Sequence, residues 1–199
     1  VDKNHFSFMG SAQDHKRVGE NETGPNTGGM GAYSPSPLIN KKMEKKIINK
    51  IVKPTLKALK AKNHPYTGFL YVGLMIRNNE PYLIEYNVRM GDPECQVIMP
   101  RLKTDLVNLL KASVDNKLNK VKINWKKDKC MTVVLCSKGY PNKKMSEKKI
   151  NLKKVNLDKK SFIFHAGSKI IDGLLFSNGG RVLNVVVLGL TFQKIRDQI

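Results

Sequence analysis

Apolar residues recur at helical spacing in two regions of the chain. Over residues 39–62 they appear every three or four positions with lysines on the opposite side, which predicts an amphipathic helix. Pro54 lies inside this pattern and is expected to kink the helix or to split it in two. A second helix is predicted over 104–116 with Thr104 as its cap, and a shorter one over 94–99.

Alternating polar and apolar residues predict a β-hairpin between these helices. Residues 67–76 form an apolar strand, Asn78-Asn79 suits the tip, and residues 81–89 return as the second strand. The alternation divides the returning strand into two faces, with Leu83, Glu85, Asn87 and Arg89 on one and Tyr82, Ile84, Tyr86 and Val88 on the other. The second face is apolar and is expected to lie against a core.

Short apolar runs replace the helical pattern beyond residue 117. Strands are predicted over 130–137, 161–165, 173–176 and 181–189, with turns at 139–142 and 178–180 and a loose lysine-rich loop over 142–160. At the other end of the chain, Phe6 and Phe8 alternate within residues 1–12, which predicts the end of a strand pair. The pattern predicts an α/β (α+β) chain of two domains, 1–115 and 116–199, of which the second is small, antiparallel and β-rich.

The composition is that of an ordinary globular chain. Of the 199 residues, 40% are hydrophobic and 26% are charged, which is enough for a sizeable core. No apolar run has the length of a membrane span, and no signal peptide is visible. Cys95, Cys130 and Cys136 are odd in number and lack C-x-x-C spacing, which argues against a disulfide framework or a zinc site. A reducing cytoplasm is the expected location, and the absence of Met at position 1 indicates a fragment.

The formal net charge of +20 raises the question of a nucleic-acid partner. Lysine outnumbers arginine about five to one, and the lysines are spread over predicted helices and loops. Nucleic-acid-binding surfaces rely on arginine and on stacking aromatic residues interleaved with basic ones. A lysine-rich solvated surface is the favoured interpretation, and a basic nucleic-acid-binding module remains an alternative.

The polar face of the returning strand suggests chemistry with metal and phosphate. Glu85 and Asn87 place a carboxylate and an amide oxygen about 7 Å apart, and Mg²⁺ prefers such oxygen ligands. Arg89 has the planar fork of donors that binds a phosphate or an acyl phosphate. Asp92 suits the N-cap and Pro93 the first position of the helix that follows. The alternative is a surface strand whose polar residues face solvent.

A glycine-rich segment over residues 23–37 is the second candidate site. Its glycines, Gly28 and Gly29 among them, let the main chain approach a ligand, and successive N–H groups can bind an anion. Asn26 and Thr27 add short side chains that form hydrogen bonds. No Gly-Lys-Ser/Thr follows, so the segment is not a P-loop. The apolar residues among the glycines favour an ordered functional loop over a flexible linker.

Three stretches together resemble one family in their order along the chain. They are Q-D-H-K-R at 13–17, G-P-N-T-G-G-M-G-A-Y-S-P at 24–35 and E-Y-N-V-R-M-G-D-P-E-C-Q at 85–96. The family is phosphoribosylamine–glycine ligase, or glycinamide ribonucleotide synthetase, of the ATP-grasp superfamily. The resemblance continues through 101–106, 164–167 and 178–182. Met90 and Cys95 stand where the family usually has Phe and Thr.

The resemblance implies an enzyme that uses ATP and Mg²⁺ (or Mn²⁺) to join glycine to 5-phosphoribosylamine in de novo purine biosynthesis. The products are glycinamide ribonucleotide, ADP and phosphate, formed through a glycyl phosphate. In this pattern Glu85 and Asn87 hold the metal, and Arg89 is the catalytic residue that stabilises the transferring phosphoryl group. The residues expected to hold glycine and the ribose phosphate are Asp14, Asn26, Thr27, Gly28, Gly29 and Asp92.

The resemblance also implies that the chain is incomplete. Residues 1–115 resemble the carboxy-terminal half of an ATP-grasp domain, and 116–199 resemble an incomplete carboxy-terminal domain. Most nucleotide-binding residues would lie upstream, so the isolated chain is expected to have little or no ligase activity. The parent is expected to be a cytoplasmic monomer that binds small molecules, with neither nucleic acid nor a membrane as partner. A different ATP-grasp carboxylate–amine ligase, with another amine substrate, is the alternative within the superfamily.

Overall fold

The structure, a computed structural model, describes residues 1–142 and 146–199. The chain forms two compact units, each built from separated segments. The first unit comprises Val1–Ser11, Pro35–Gly91 and Leu102–Lys126, and the second unit comprises Ala12–Ser34, Asp92–Arg101 and Lys127–Ile199. This division follows contacts in space rather than the order of the chain, and the predicted boundary after residue 115 stays a prediction.

Helices and strands are mixed along the chain. The described helices are α1 (Lys41–Ile47), α2 (Lys53–Ala61), α3 (Cys95–Ile98), α4 (Leu106–Val114) and α5 (Phe192–Gln198). The described strands are β1 (Gln13–Gly19), β2 (Thr23–Ser34), β3 (Tyr71–Arg77), β4 (Glu80–Asn87), β5 (Lys129–Cys136), β6 (Ser161–His165), β7 (Ser168–Ile171), β8 (Leu174–Ser177) and β9 (Arg181–Gly189). Helices together with antiparallel sheets confirm the predicted α+β class.

In the first unit, the long helix predicted over 39–62 is interrupted next to Pro54, although its backbone stays helical from Lys41 to Ala61. The Asn40 side chain caps α1 at its first turn. A π-helical turn, Ile48–Val52, joins α1 to α2, and the Lys53 N–H donates to the Ile48 carbonyl oxygen five residues earlier. Pro54 follows in the first turn of α2, directly after this π-helical turn.

The predicted hairpin is confirmed as β3 and β4. Its tip is formed by Asn78 and Asn79, whose φ angles are 52° and 58°. The pairing contains a β-bulge, because Glu85 lies opposite Gly73 whereas Leu83 lies opposite Leu74. The strict alternation of the sequence is therefore interrupted near the middle of β4.

The apolar side of β4 is exposed, so its predicted burial in a core is wrong for the described chain. Tyr82, Ile84 and Val88 are 56%, 63% and 74% exposed. A two-stranded hairpin has no second layer of its own and buries a face only against further elements. Its polar contacts with the helices include the Lys50 ammonium, 2.8 Å from the Glu80 carboxylate, and a hydrogen bond between the Tyr86 and Thr55 hydroxyls.

Residues 1–12 form no strand, contrary to prediction. The segment is held by Asp2, whose buried carboxylate accepts hydrogen bonds from the N–H groups of Asn4, His5 and Leu118. Burial by itself favours a raised pKa, but these hydrogen bonds outweigh it and lower the pKa of Asp2 to about 2. Side chain to backbone contacts, rather than strand pairing, therefore order this segment.

The cap of α4 also differs from prediction. Asp105, not Thr104, is the N-cap, and its carboxylate accepts a hydrogen bond from the Asn108 N–H at 2.9 Å. The Thr104 hydroxyl instead accepts from the Asn124 N–H at 2.7 Å. Two adjacent residues were both able to cap this helix, and a contact distant in sequence engages one of them.

The second unit is built around a five-stranded antiparallel sheet with the strand order β1-β2-β5-β9-β6. The strands predicted over 130–137, 161–165 and 181–189 are confirmed as β5, β6 and β9. Strands β1 and β2 join them from the start of the chain, which the linear pattern did not predict. The core of this sheet contains Ala32, Val97, Cys130, Val186 and Leu188.

Outside this sheet, β7 and β8 form a two-stranded hairpin, of which the sequence predicts only β8. The sequence also does not predict α5, which packs on β5 and β9. Of the predicted lysine-rich loop, residues 142 and 146–160 contain no helix or strand, and Lys143, Lys144 and Met145 lie outside the described residues. Within the described ranges, no helix has both the length and the apolar character needed to span a membrane.

Candidate functional site

The glycine-rich segment is a strand rather than the predicted loop. β2 pairs with β1 on one side and with β5 on the other, so that Gly31 lies opposite both His15 and Val133. The register between β1 and β2 shifts on both sides of Arg17, which marks irregular pairing along the glycines. The prediction of an ordered segment is confirmed, and the prediction of a loop is wrong.

Gly29 is the point at which three parts of the second unit meet. Its φ of +117° is a backbone conformation that suits glycine. A Cβ at this position would lie 2.3 Å from Pro93 Cδ and 2.9 Å from an Asp14 carboxylate oxygen. The structure thus brings β1, the glycine-rich strand and the G-D-P-E segment together, with four of the predicted site residues: Asp14, Gly28, Gly29 and Asp92.

The Asp14 carboxylate is buried, with the Lys16 ammonium as its ion-pair partner. Its side chain is 9% exposed, and neither oxygen is hydrogen-bonded to any described residue. The Lys16 ammonium lies 3.4 Å from Oδ2. Burial, reinforced by the Glu94 carboxylate, raises the pKa of Asp14 to about 6. A buried carboxylate with unused acceptor capacity is a candidate for binding an N–H or ammonium group of a ligand.

Asp92 does not cap a helix and Pro93 does not begin one, contrary to prediction. The residue that precedes α3 is Glu94, and no side chain caps this helix. The Asp92 carboxylate binds the Arg181 guanidinium instead, with 2.7 Å between Nη2 and Oδ2 and 3.3 Å between Nη1 and Oδ1. It also accepts a hydrogen bond from the Gln96 amide at 2.8 Å. A two-point ion pair is stronger than a single capping bond, so the tertiary contact decides where Asp92 lies.

Thr27 and Asn26 lie in the irregular part of β2. The Thr27 hydroxyl donates to the Lys16 carbonyl at 2.8 Å and accepts from the Gly29 N–H at 3.0 Å. Asn26 lies opposite Arg17 in the register and is exposed. Thr27 therefore shapes the strand next to Gly29, whereas Asn26 is accessible to solvent.

Tyr140 and Arg181, which the sequence did not single out, bind the backbone at Gly28. The Gly28 carbonyl accepts a hydrogen bond from Arg181 Nη1 at 2.9 Å, and the Gly28 N–H donates to the Tyr140 hydroxyl at 3.1 Å. These partners are 153 and 112 positions away in sequence, so no local pattern links them to Gly28. The available signal was the resemblance at 178–182, which includes Arg181 but assigns it no role.

Glu85 and Asn87 share one face of β4, as the alternation predicts. Pairing is regular between Tyr71–Asn87 and Gly73–Glu85, and the bulge falls only after Glu85 toward the tip. The Glu85 side chain lies across Gly73, where a Cβ would come within 2.9 Å of Glu85 Cγ. In the part of the chain that the structure describes, the Glu85 carboxylate has neither a hydrogen bond nor an ion pair. Its oxygens are thus available to a ligand.

Arg89 lies beyond the end of β4, in the first unit with Glu85 and Asn87. Its Nη1 donates to the Met90 carbonyl at 2.9 Å. Among residues 1–142 and 146–199, no group of three or more His, Cys, Asp and Glu side chains is arranged to hold a metal. Mg²⁺ needs fewer protein ligands, because it commonly binds through one or two carboxylates plus phosphate oxygens and water. The carboxylate of Glu85 and the amide oxygen of Asn87 fit such an open site.

The three cysteines, Cys95, Cys130 and Cys136, are free thiols in the structure. Burial, with the nearby Asp92 and Glu94 carboxylates, raises the pKa of the Cys95 thiol. A thiol with a raised pKa stays protonated at neutral pH and is a poor nucleophile. The substitution of Cys at this position of the family motif therefore adds no evident chemistry.

Two family models match the chain. They are phosphoribosylglycinamide synthetase, ATP-grasp (A) domain, over residues 1–95, and phosphoribosylglycinamide synthetase, C domain, over residues 130–199. The phosphoribosylamine–glycine ligase of Agrobacterium fabrum is 47% identical over 181 residues, which cover 91% of this chain and 43% of that protein. The phosphoribosylamine–glycine ligase of Chlorobaculum tepidum is 41% identical over 200 residues, which cover 100% of this chain and 47% of that protein.

A solved structure agrees with these sequence matches. The crystal structure of phosphoribosylamine–glycine ligase from Thermotoga maritima has a TM-score of 0.82 and 34% identity, over 99% of this chain and 48% of that one. The chain thus spans about half the length of the relatives it matches. Its mixture of helices and antiparallel sheets is that of an ATP-grasp fragment. Sequence, domain models and fold agree that the chain belongs to the phosphoribosylglycinamide synthetase (phosphoribosylamine–glycine ligase) family.

Proposed function

We propose that the full-length protein containing this chain ligates glycine to 5-phosphoribosylamine, with ATP as the energy source, in de novo purine biosynthesis. The observation that carries the proposal is the buried Asp14 carboxylate, which lies beside Gly29, as Pro93 does, inside the motifs of the family. Both substrates bear an amine, and a buried carboxylate without hydrogen bonds offers acceptors to such a group. The names of the relatives support the same reaction.

The reaction couples two group transfers. ATP phosphorylates the glycine carboxylate, which yields ADP and glycyl phosphate. The amine of 5-phosphoribosylamine then attacks the acyl carbon, so that a C–N bond forms, the bond to the phosphate oxygen breaks, and phosphate leaves. Asp14, Asn26, Thr27, Gly28, Gly29 and Asp92 are the residues that we assign to glycine and to the ribose phosphate. Asp14 is assigned to an amine, and the backbone at Gly28 and Gly29 to close approach of a substrate.

Glu85 and Asn87 are the proposed ligands of Mg²⁺ or Mn²⁺, which offsets the negative charge of the ATP phosphates when bound. Among the described residues the Glu85 carboxylate has no hydrogen bond or ion pair, and its side chain lies across Gly73, which supports this assignment. Arg89 is the proposed catalytic residue. Its Nη1 donates to the Met90 carbonyl, and its other N–H groups can donate to an oxygen of the transferring phosphoryl group. Most contacts to the nucleotide are assigned to the part of the relatives that this chain does not span.

Location and assembly follow as further proposals. The three free cysteines support a reducing compartment such as the cytoplasm. Small molecules are the proposed partners, and the full-length protein is proposed to be a monomer. Its mass in solution, measured by light scattering, checks the last point.

The test follows ADP release by the full-length protein with 5-phosphoribosylamine, ATP and Mg²⁺, with and without glycine. We expect release to require glycine and to be accompanied by formation of glycinamide ribonucleotide. Release that ignores glycine but requires another carboxylic acid would replace the proposed reaction with that of a different carboxylate–amine ligase. A folded protein that releases no ADP, whether glycine or another carboxylic acid is supplied, would contradict the proposal.

A further inference from the structure

Arg181, the first residue of β9, contacts two separate segments of the second unit. Its Nη1 donates to the Gly28 carbonyl at 2.9 Å and lies 3.5 Å from the Gly29 carbonyl. On the other side, Nη1 and Nη2 bind the two Asp92 carboxylate oxygens at 3.3 Å and 2.7 Å. The Arg181 side chain is 22% exposed and the Asp92 side chain is 51% exposed, so the ion pair is partly open to solvent.

The Gly28 peptide is held by side chains on both of its polar groups. Tyr140 accepts from its N–H, and Arg181 donates to its carbonyl. The approach is close, because a Cβ at Gly28 would lie 3.0 Å from Arg181 Cζ. Tyr140 in turn lies against Gly180, where a Cβ would come within 2.3 Å of its ring. The start of β9 and the turn with Tyr140 thus determine where the backbone at Gly28 lies.

We propose that Arg181 is a positioning residue, which holds the glycine-rich strand against the Asp92–Pro93 segment and so fixes Gly29 beside the Asp14 carboxylate. The effect of Arg181 on catalysis rests on the proposed function, whereas its effect on the position of the glycine-rich strand does not. In this role Arg181 works through its neighbours and needs no contact of its own with substrate. It acts through Gly28 and Asp92, which lie on either side of the contact between Gly29 and Pro93.

The planar fork of arginine is what this position requires. One guanidinium serves a carbonyl and a carboxylate in different directions at once. A lysine is a single compact charge and reaches one of these acceptors at a time. Arg181→Lys should therefore keep the attraction to Asp92 and lose much of the connection to Gly28, whereas Arg181→Ala loses both.

The test compares wild type, Arg181→Ala, Arg181→Lys and Lys160→Ala in the full-length protein. Lys160 is the matched control, because it forms an ion pair with Asp128 in the same unit, at 2.6 Å, without contacting β2. We expect Arg181→Ala to lower kcat/KM for glycine or 5-phosphoribosylamine on the order of 10- to 100-fold, with KM for ATP near the wild-type value. Arg181→Lys should lie between. Amide hydrogen exchange over residues 23–34 should become faster in Arg181→Ala but not in Lys160→Ala.

Two results would overturn the proposal. One is unchanged exchange over residues 23–34 in Arg181→Ala. The other is faster exchange with equal losses for ATP and for the amine substrates, which indicates general destabilisation. If Arg181→Ala does not fold, the same criteria apply to Arg181→Lys. If the wild type shows no glycine-dependent ADP release, the proposed function fails, and hydrogen exchange alone then decides whether Arg181 positions the strand.

Discussion

Burial of the Asp14 carboxylate opposes folding at neutral pH. Burial and the Glu94 carboxylate raise its pKa from 3.8 to about 6, so the folded state binds this proton more tightly than the unfolded state does. The stability associated with this group is therefore complete below about pH 4 and is lost as the pH rises through about 6. A group that costs stability where the protein works is more readily explained by binding than by folding.

Asp14→Asn should therefore separate stability from activity. The substitution removes a buried charge, so we expect the free energy of unfolding at about pH 8 to rise by up to about 3 kcal/mol, with a higher Tm. Near pH 4 we expect no gain. Glycine-dependent kcat/KM should fall by about 10- to 100-fold, since charged hydrogen bonds to an amine are lost. Thermal unfolding at both pH values and steady-state kinetics check the two parts.

Asp197→Asn is the control for this experiment, because Asp197 is exposed and lies in the same unit. It should change neither Tm nor turnover. Full glycine-dependent activity in Asp14→Asn would remove Asp14 from the proposed site. A lower Tm at about pH 8 would show that the carboxylate, through its ion pair with Lys16, stabilises the fold, contrary to its raised pKa.

Glu85→Gln tests the proposed metal ligand at the same scale. The change keeps the shape of the side chain over Gly73 but removes its charge. We expect kcat/KM to fall at least about 100-fold and the required Mg²⁺ concentration to rise, with little change in Tm. Glu80→Gln, on the same strand, breaks the ion pairs with Lys46 and Lys50 and should retain turnover. Equal activity losses in both variants would indicate damage to the hairpin rather than loss of a metal ligand.

At the scale of elements, the glycine-rich strand β2 depends on the close approach of its backbone to neighbouring segments. Sequence pattern alone reads this segment as a loop, because glycines weaken a strand and leave no side chains to alternate. Pairing with β1 and β5 makes it a strand, and the register shifts beside Arg17 accommodate the irregular part. The ordered backbone is therefore a property of the sheet around it rather than of local propensity.

Gly29→Ala is the substitution that tests this close approach. The new Cβ would meet Pro93 at 2.3 Å and would sit at a φ of +117°, so we expect a loss of about 2–4 kcal/mol in unfolding free energy and loss of turnover. Gly173→Ala is the control, since it also has a positive φ but no atom within 4 Å of the added Cβ. It should cost only about 1 kcal/mol and leave activity intact. Similar losses in both variants would show that backbone conformation, and not contact with Pro93, dominates.

The same scale explains the exposed side of the β3–β4 hairpin. The alternation correctly predicts a strand with one apolar side, but within the described chain no layer covers Tyr82, Ile84 and Val88. The hairpin tip and its return could be predicted, because Asn78-Asn79 is a local signal. Burial could not be predicted, because it depends on elements distant in sequence.

At the scale of the whole molecule, the chain spans about half the length of its relatives. We therefore expect the 199-residue chain by itself to release no glycine-dependent ADP above background, even when circular dichroism shows that it is folded. The full-length protein, assayed in parallel, is the control. Saturable, glycine-dependent release by the 199-residue chain would show that it contains every residue the reaction needs.

The charge of +20 belongs to the same scale. If it served nucleic-acid binding, duplex binding would fall steeply with salt and would survive Glu85→Gln, because phosphate contacts and not the metal ligand would carry it. If it is surface composition, ADP release should be indifferent to added duplex at physiological salt.

Much of the candidate site could be predicted from the sequence, because its motifs are short and contiguous. Glu85 and Asn87 share a strand face through period-two geometry, and the order of the three motif stretches identifies the family. Asp92 shows where local reasoning stops. Asp-Pro-Glu before an apolar run is a good helix start, but a two-point ion pair with Arg181 outweighs a single capping bond.

By itself, the sequence determined the family, the α+β class, the hairpin, the interruption of the long helix near Pro54 and most strands of the second unit, because periodicity, turn residues and motifs act over a few neighbouring positions. Only the tertiary structure decided that β1 and β2 complete the sheet of β5, β9 and β6. It also decided that Asp14 is buried with a raised pKa. Tyr140 and Arg181, which are 112 and 153 positions away in sequence, form hydrogen bonds with the Gly28 backbone. The physical reason is that burial, desolvation and ion pairing depend on which surfaces meet, and no local pattern encodes partners so distant in the chain.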